Sequence, residues 1–182
     1  MRRLVFYSLI FVVIGLLVGG CVSKTKQIRQ ERVNDYIVSS IDWLGHSECL
    51  PKKEKLCSVY FGIEKHSHRL TGELKYFVTL TYGSLAPSEY LINEGDSLTI
   101  IVDGNSNILN CAQFGKTISI ETRQSPLVFE FSKFRADKAL VSDFAVAKSV
   151  EITIHGRHKT LTGQFLEEDF VNIKKFYKKY IK

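Results

Sequence analysis

Between residues 73 and 82, Leu74, Tyr76, Val78, Leu80 and Tyr82 alternate with Glu73, Lys75, Thr79 and Thr81, with Phe77 as the one exception. A period of two sends successive side chains to opposite faces. This stretch therefore reads as a strand with one face in a core and the other toward water, the arrangement that antiparallel sheets accommodate. The same period recurs through the chain. Residues 58–64 read as a strand, as do Leu98, Ile100 and Val102. Val150, Ile152 and Ile154 alternate with Glu151, Thr153 and His155, and residues 117–121 and 127–131 add two short strands.

Turn residues join these runs. Asp103-Gly104-Asn105 is a hairpin signal, and a two-residue turn at either Asp103-Gly104 or Gly104-Asn105 sends Leu109 and Cys111 to the core face. Gly156-Arg157 reads as a two-residue turn with glycine first. That register sets Ile152 opposite Leu161 and His155 opposite His158.

Three segments break the alternation. In residues 136–147, Leu140, Val141, Phe144 and Ala145 form a helical stripe. Residues 167–182 form the clearest helix, with Phe170, Ile173, Tyr177, Tyr180 and Ile181 on its apolar face. Glu167, Glu168 and Asp169 open it and lysines crowd its end, so both termini suit the helix dipole. Val33, Tyr36, Ile37, Ile41 and Leu44 also recur at helical spacing, with Gly45 as a stop, although β-branched residues leave a strand reading open there. The expected fold is α+β: a single domain over residues 33–182, mostly an antiparallel sheet of about seven strands with helices at about 136–147 and 167–182.

The N-terminus constrains where such a domain resides. Arg2 and Arg3 precede 15 uncharged residues, 4–18, and small residues follow. That is the plan of a secretory signal peptide. As a helix the run covers about 23 Å, short of the ~30 Å hydrocarbon core, so a spanning helix is the weaker reading. Val18-Gly19-Gly20-Cys21 resembles the lipobox of bacterial lipoprotein signal peptides. The resemblance implies a diacylglyceryl group on the Cys21 sulfur, cleavage before Cys21 and acylation of the new amine. It divides the chain into a signal peptide (1–20), a lipidated cysteine with a polar tether (21–32) and the globular domain. More than one acyl chain gives stable attachment to a bilayer. Val22, where an aspartate would retain an enterobacterial lipoprotein in the inner membrane, points by the same resemblance to the outer membrane facing the periplasm.

Net charge is +6, falling to +4 once Arg2 and Arg3 leave. The excess gathers at the ends, with Lys24, Lys26, Arg29 and Arg32 near the anchor and Lys174, Lys175, Lys178, Lys179 and Lys182 at the C-terminus. Bases beside an anchor are attracted to anionic head groups. The simpler account is a solvated tether and a solvated helix face. No basic patch is interleaved with aromatics, so a nucleic-acid partner is not expected.

Lipidation of Cys21 leaves Cys49, Cys57 and Cys111. An exported compartment permits disulfides. Cys49 and Cys57 flank the polar loop Leu50-Pro51-Lys52-Lys53-Glu54-Lys55-Leu56, which predicts a Cys49–Cys57 bridge contributing about 2–3 kcal/mol. Cys111 reads as a buried thiol acting as a small hydrophobe. The spacing of Cys49 and Cys57 matches no common metal site.

Histidine pairs are the other candidates. His66 and His68 share a face of one strand, and the expected hairpin places His155 beside His158. Were the pairs to meet, they would suit zinc or copper. Surface histidines on a polar face are the bland alternative. No G-x-S-x-G, H-E-x-x-H, P-loop or G-x-G-x-x-G occurs. Phe61, Phe77 and Phe131 fall on or beside the less apolar faces of their strands, where together they would form a docking patch.

From residue 73 onward the order of strands, Val102-Asp103-Gly104, helix, Ala147-Lys148-Ser149-Val150-Glu151-Ile152 and closing helix resembles a layout of uncharacterised secreted bacterial domains. It implies a fold and no site. The expected protein is a lipid-anchored cell-envelope protein with a non-catalytic binding, accessory or structural role. It would have no cofactor, a membrane partner through Cys21, and an envelope protein as a further partner. The alternative is a small metal-binding or enzymatic lipoprotein using His66, His68, His155 and His158.

Overall fold

The computed structural model describes residues 28–47, 57–85, 97–114, 118–120, 126–156 and 160–182. The fold is α+β, as the alternation requires. The described residues form ten strands: β1 (Ile28–Val33), β2 (Tyr36–Ser47), β3 (Cys57–His68), β4 (Leu74–Leu85), β5 (Ser97–Val102), β6 (Asn105–Phe114), β7 (Ile118–Ile120), β8 (Leu127–Ala136), β9 (Val150–His155) and β10 (Thr160–Gln164). Helix α1 (Lys138–Val146) lies between β8 and β9. Helix α2 (Glu167–Phe176) ends in a π turn, Tyr177–Ile181. Among the described residues no helix is long and apolar enough to cross a membrane.

Every pairing among the described strands is antiparallel. The pairings form a closed circuit, β2-β3-β4-β8-β6-β5-β9-β10 and back to β2. The circuit has two arcs that share β2 and β6. β6 pairs with β5 through residues 105–110 and with β8 through residues 111–114. β2 pairs with β3 and meets β10 at His46 opposite Gln164. Both shared strands are bulged: β2 between Ile41 and Leu44 and again before Ser47, β6 between Cys111 and Gln113. A bulge bends its strand and sharpens the twist, which is how a strand turns from one sheet into another.

The inward face carries the core. Ile41, Ile63, Val78, Leu80, Leu98, Ile100, Phe134 and Ile152 belong to one buried cluster that also takes Leu140, Val141, Phe144 and Ala145 from α1 and Ile173 and Phe176 from α2. The helices thus lie against the inward face of the strands. Asp137 caps α1 by accepting the Leu140 amide at 2.7 Å. Asp169, wholly buried, accepts the Leu166 amide at 2.6 Å at the start of α2.

The Asp103-Gly104 turn forms as expected. Val102 pairs with Asn105, and φ is positive at both turn residues, 46° and 86°, the signature of a type I′ turn. Cys111 follows on the core face, 3% exposed. The helical stripe of residues 136–147 is buried at each of its four positions.

Four expectations are corrected. Residues 33–44 are not helical, since Val33 ends β1 and residues 36–47 form β2. Residues 28–32, read as tether, belong to β1, which pairs with β2 from Ile28–Ile41 to Val33–Tyr36, so the domain reaches back at least to Ile28. The strand count is ten rather than about seven. The β9–β10 hairpin has its register moved by two residues. Thr160 stands opposite His155 and Leu161 opposite Ile154, so a four-residue connection replaces the two-residue turn, and His158 is not the partner of His155. The signal peptide, Cys21, Cys49 and His158 lie outside the described residues. Cys57 opens β3, opposite Ser84.

Candidate functional site

The outward faces of β1, β2, β3, β4 and β8 carry the densest polar cluster in the described residues. Glu64 stands at its centre. On β3, Val59, Phe61 and Ile63 point inward and are buried, so Gly62, Glu64 and His66 point outward. One Glu64 carboxylate oxygen, Oε2, accepts from His66 Nε2 at 2.7 Å and from Lys133 Nζ at 2.7 Å. Lys133 sits on β8 and reaches over β4, where Thr79 is its cross-strand partner. On the other side of β3, Arg29 of β1 donates from Nε to Ser40 Oγ at 3.1 Å and pairs with Asp42 at 3.2 Å. The contacts fall into two groups: Arg29 and Asp42 join β1 to β2, and Glu64 and Lys133 join β3 to β8 across β4, while the like charges of Asp42 and Glu64 repel each other.

Gly62 makes room for it. A Cβ there would lie 2.4 Å from Thr79 Oγ1, 2.9 Å from the Ile41 carbonyl oxygen and 3.1 Å from Asp42 Oδ1. The side chains of Asp42 and Thr79 therefore close over a position that only glycine leaves open.

Aromatic rings border the charges. His66 meets Phe77 edge-on at 4.9 Å between centroids and Tyr36 at 6.0 Å. Tyr36 also meets His68 at 4.9 Å and accepts a hydrogen bond from Lys75 Nζ at 3.2 Å. Phe77 and Phe131 are half-buried on this outward face, and Phe129 packs over Gly83, whose Cβ would lie 2.9 Å from its ring. Phe61 does not join them: it is 1% exposed in the core. The expected three-phenylalanine patch is thus corrected to an outward group with Tyr36, Phe77, Phe129 and Phe131.

The electrostatics follow from these contacts. Burial alone would raise the Glu64 pKa. The hydrogen bonds from His66 and Lys133 and the lysine charge outweigh it and hold the carboxyl below its ordinary value. Asp42 goes the other way: burial raises it further than Arg29 lowers it, and the neighbouring Glu64 and Glu31 add to the rise. A carboxylate with lowered pKa and two donors on one oxygen is a weak base. The arrangement is suited to holding strands and presenting a face rather than to moving a proton.

Of the four candidate histidines, His158 lies outside the described residues, and the other three do not converge. His66 is committed to Glu64. His68 Nδ1 accepts from the amides of Leu70 (3.3 Å) and Thr71 (3.2 Å), shaping the turn into β4. His155 lies on β9, 3.2 Å from Thr99 Oγ1. Along the circuit β9 is three strand spacings from β3, each about 4.8 Å. The two sites are also displaced along β2, since His66 stands opposite Val38 whereas β10 meets β2 at His46. Among the described residues no group of three or more His, Cys, Asp or Glu side chains is placed to hold a metal ion.

Glu64, Asp42 and Lys133 were not singled out by sequence reasoning, and Arg29 was noted only as a base near the anchor. The signal for Glu64 was present: it is two residues from His66, the same rule that put His66 and His68 on one face. Nothing local marks Lys133, whose role depends on β8 pairing with β4.

No family model matches the sequence, and no curated protein and no solved structure matches the chain.

Proposed function

We propose that this protein is a lipid-anchored component of the bacterial cell envelope whose β-rich domain binds a partner rather than transforming a substrate. The observation that carries the reading is the N-terminal sequence: two arginines, 15 uncharged residues and Val18-Gly19-Gly20-Cys21. Diacylglyceryl on Cys21 would hold the domain at a bilayer outside the cytosol, in the outer membrane facing the periplasm.

The outward sheet face supports a binding role. Its charges are satisfied by one another, its carboxylate at Glu64 is held below the ordinary range, and half-buried rings at Tyr36, Phe77 and Phe131 flank them. Aromatic residues and arginine are enriched at protein-binding surfaces whereas lysine and glutamate are depleted, so the rings, more than the ion pairs, support this reading. An envelope protein is the expected partner.

The test has two parts. Cells expressing the chain are fed labelled palmitate and fractionated; label on the wild-type chain in the membrane fraction, lost in Cys21→Ala, supports the anchor. Unlabelled wild-type chain refutes it. A photo-crosslinking residue in place of Phe77 then reports contact in living cells. A discrete adduct absent when the probe replaces Val146, an exposed residue of α1, supports the surface. Identical adducts from both positions contradict it.

A further inference from the structure

Five lysines of the closing helix, Lys174, Lys175, Lys178, Lys179 and Lys182, are all exposed. Their spacing builds two adjacent rows, 174-178-182 and 175-179, which share a face of the helix. Like charges four residues apart disfavour the helix that carries them; no ion pair among the described residues relieves any of the five, and the one described contact of their ammonium groups is Lys179 Nζ over the Tyr180 ring at 4.9 Å. The carboxylates of this helix, Glu167, Glu168 and Asp169, stand at its opposite end.

The helix dipole favours cations at this end, but five exceed what one terminus needs, and the Tyr180 carbonyl already receives a hydrogen bond from Lys65 Nζ, a residue of β3. Lys65 in turn is close enough to Lys138 of α1 for the two to repel, and burial with that repulsion lowers the Lys65 pKa. The end of the helix is therefore positive on its exposed face and is approached by two further lysines from β3 and α1.

Register places this end near the point where the chain joins the sheet. Ile28, Ile41 and Ile63 form one row across β1, β2 and β3. Ile28 is two strand spacings, about 10 Å, from Ile63, and Lys65 is about 7 Å further along β3. Seven peptide steps separate Ile28 from Cys21, a span of at most about 25 Å.

We propose that the lysine face of the C-terminal helix docks on the anionic phospholipid surface of the membrane that holds the N-terminus, so that the domain is fixed at two points and presents its opposite side outward. The proposal rests on the anchoring reading for its geometry. Each lysine near an anionic surface shifts partitioning by roughly fivefold, and the effect fades beyond a Debye length.

The experiment uses the full chain reconstituted through its N-terminus into vesicles of phosphatidylcholine alone or with phosphatidylglycerol. Trace acetylation by a water-soluble active ester is read at each lysine by mass spectrometry. The expected result is an at least fivefold slower reaction at Lys174, Lys175, Lys178, Lys179 and Lys182 in the anionic vesicles, recovering in high salt, with Lys75 and Lys148 unchanged. Equal rates in both vesicles overturn the proposal. So does equal protection by inorganic phosphate or duplex DNA added to the neutral vesicles, which would assign the lysines to phosphate in general. The intact mass of the natively expressed chain separates the two readings. Protection on a chain whose mass carries no lipid keeps this surface and removes the lipid anchor; no protection on a lipidated chain removes the surface alone.

Discussion

Replacing Glu64 by glutamine tests whether the outward network holds the strands together. Glutamine keeps the size and one acceptor oxygen but removes the charge that Lys133 and His66 share. Breaking a fully buried pair costs about 3–5 kcal/mol, whereas an exposed pair contributes about 1 kcal/mol or less. The side chains of Glu64, His66 and Lys133 are 11%, 18% and 32% exposed, so the expected cost lies between those limits, about 2 kcal/mol. For a chain of 182 residues that lowers the melting temperature by about 4–8 °C.

The pH dependence has a definite sign. The folded Glu64 pKa lies below its ordinary value of 4.5. The wild-type advantage is therefore fully present above that value and fades as pH falls through the lower folded pKa. Thermal unfolding of the detergent-solubilised chain, wild type and variant, checks both points. A Glu73→Gln control removes an exposed pair with Lys75 and should cost about 0.5 kcal/mol or less. Equal melting temperatures near neutrality, or a gap that widens toward acid, would refute the reasoning.

Other outcomes follow from single contacts. Gly62→Ala should destabilise by about 1–3 kcal/mol, because the Ile41 carbonyl is backbone and cannot yield; denaturant midpoints read the loss, and Thr79→Ala in the same chain, which removes the clashing hydroxyl, should not restore it. Asp137→Ala should cost about 1 kcal/mol through the lost cap on α1, seen as a lower midpoint with an unchanged slope. Phe134→Ala, at a wholly buried position where β8 faces both β4 and β6, should cost about 3–5 kcal/mol. Elemental analysis of the purified chain should give the same metal content for wild type and His155→Ala, because Thr99 rather than another metal ligand is the described neighbour of His155.

Much of the fold was legible where the period was unbroken. β5 and β9 alternate cleanly because each buries one face along its length, and β4 does so from Tyr76 to Tyr82, although Leu74 at its start is exposed. α1 was legible because its four core residues fall on one stripe. β2 was not, for a specific reason. Ile41 and Leu44 are both buried in the core although three residues apart, since a bulge between them resets the inward phase of the strand. Three-residue spacing of core positions is also what a helix produces. The clue that distinguishes the two was Asn34-Asp35, a pair of turn formers with Asn34 at φ 51°, which joins β1 to β2.

The β9–β10 turn failed differently. Gly156 leading a two-residue turn and a four-residue connection are both compatible with alternating strands. The two-residue turn sets Leu161 opposite Ile152 and the observed register sets it opposite Ile154; both are core-face positions of β9, so alternation cannot distinguish a shift of two. The candidate site was partly legible: His66 stood out as a residue type, but Lys133, the other donor to Glu64, lies 69 positions from that carboxylate, a separation that only strand order resolves.

The account depends above all on what is attached to Cys21. Intact mass spectrometry of the protein extracted from the membranes of the cells that make it decides this. The predicted mass begins at Cys21 and carries a diacylglyceryl group with an acylated amine. A mass that retains Met1, or that begins at Cys21 without added lipid, would contradict it.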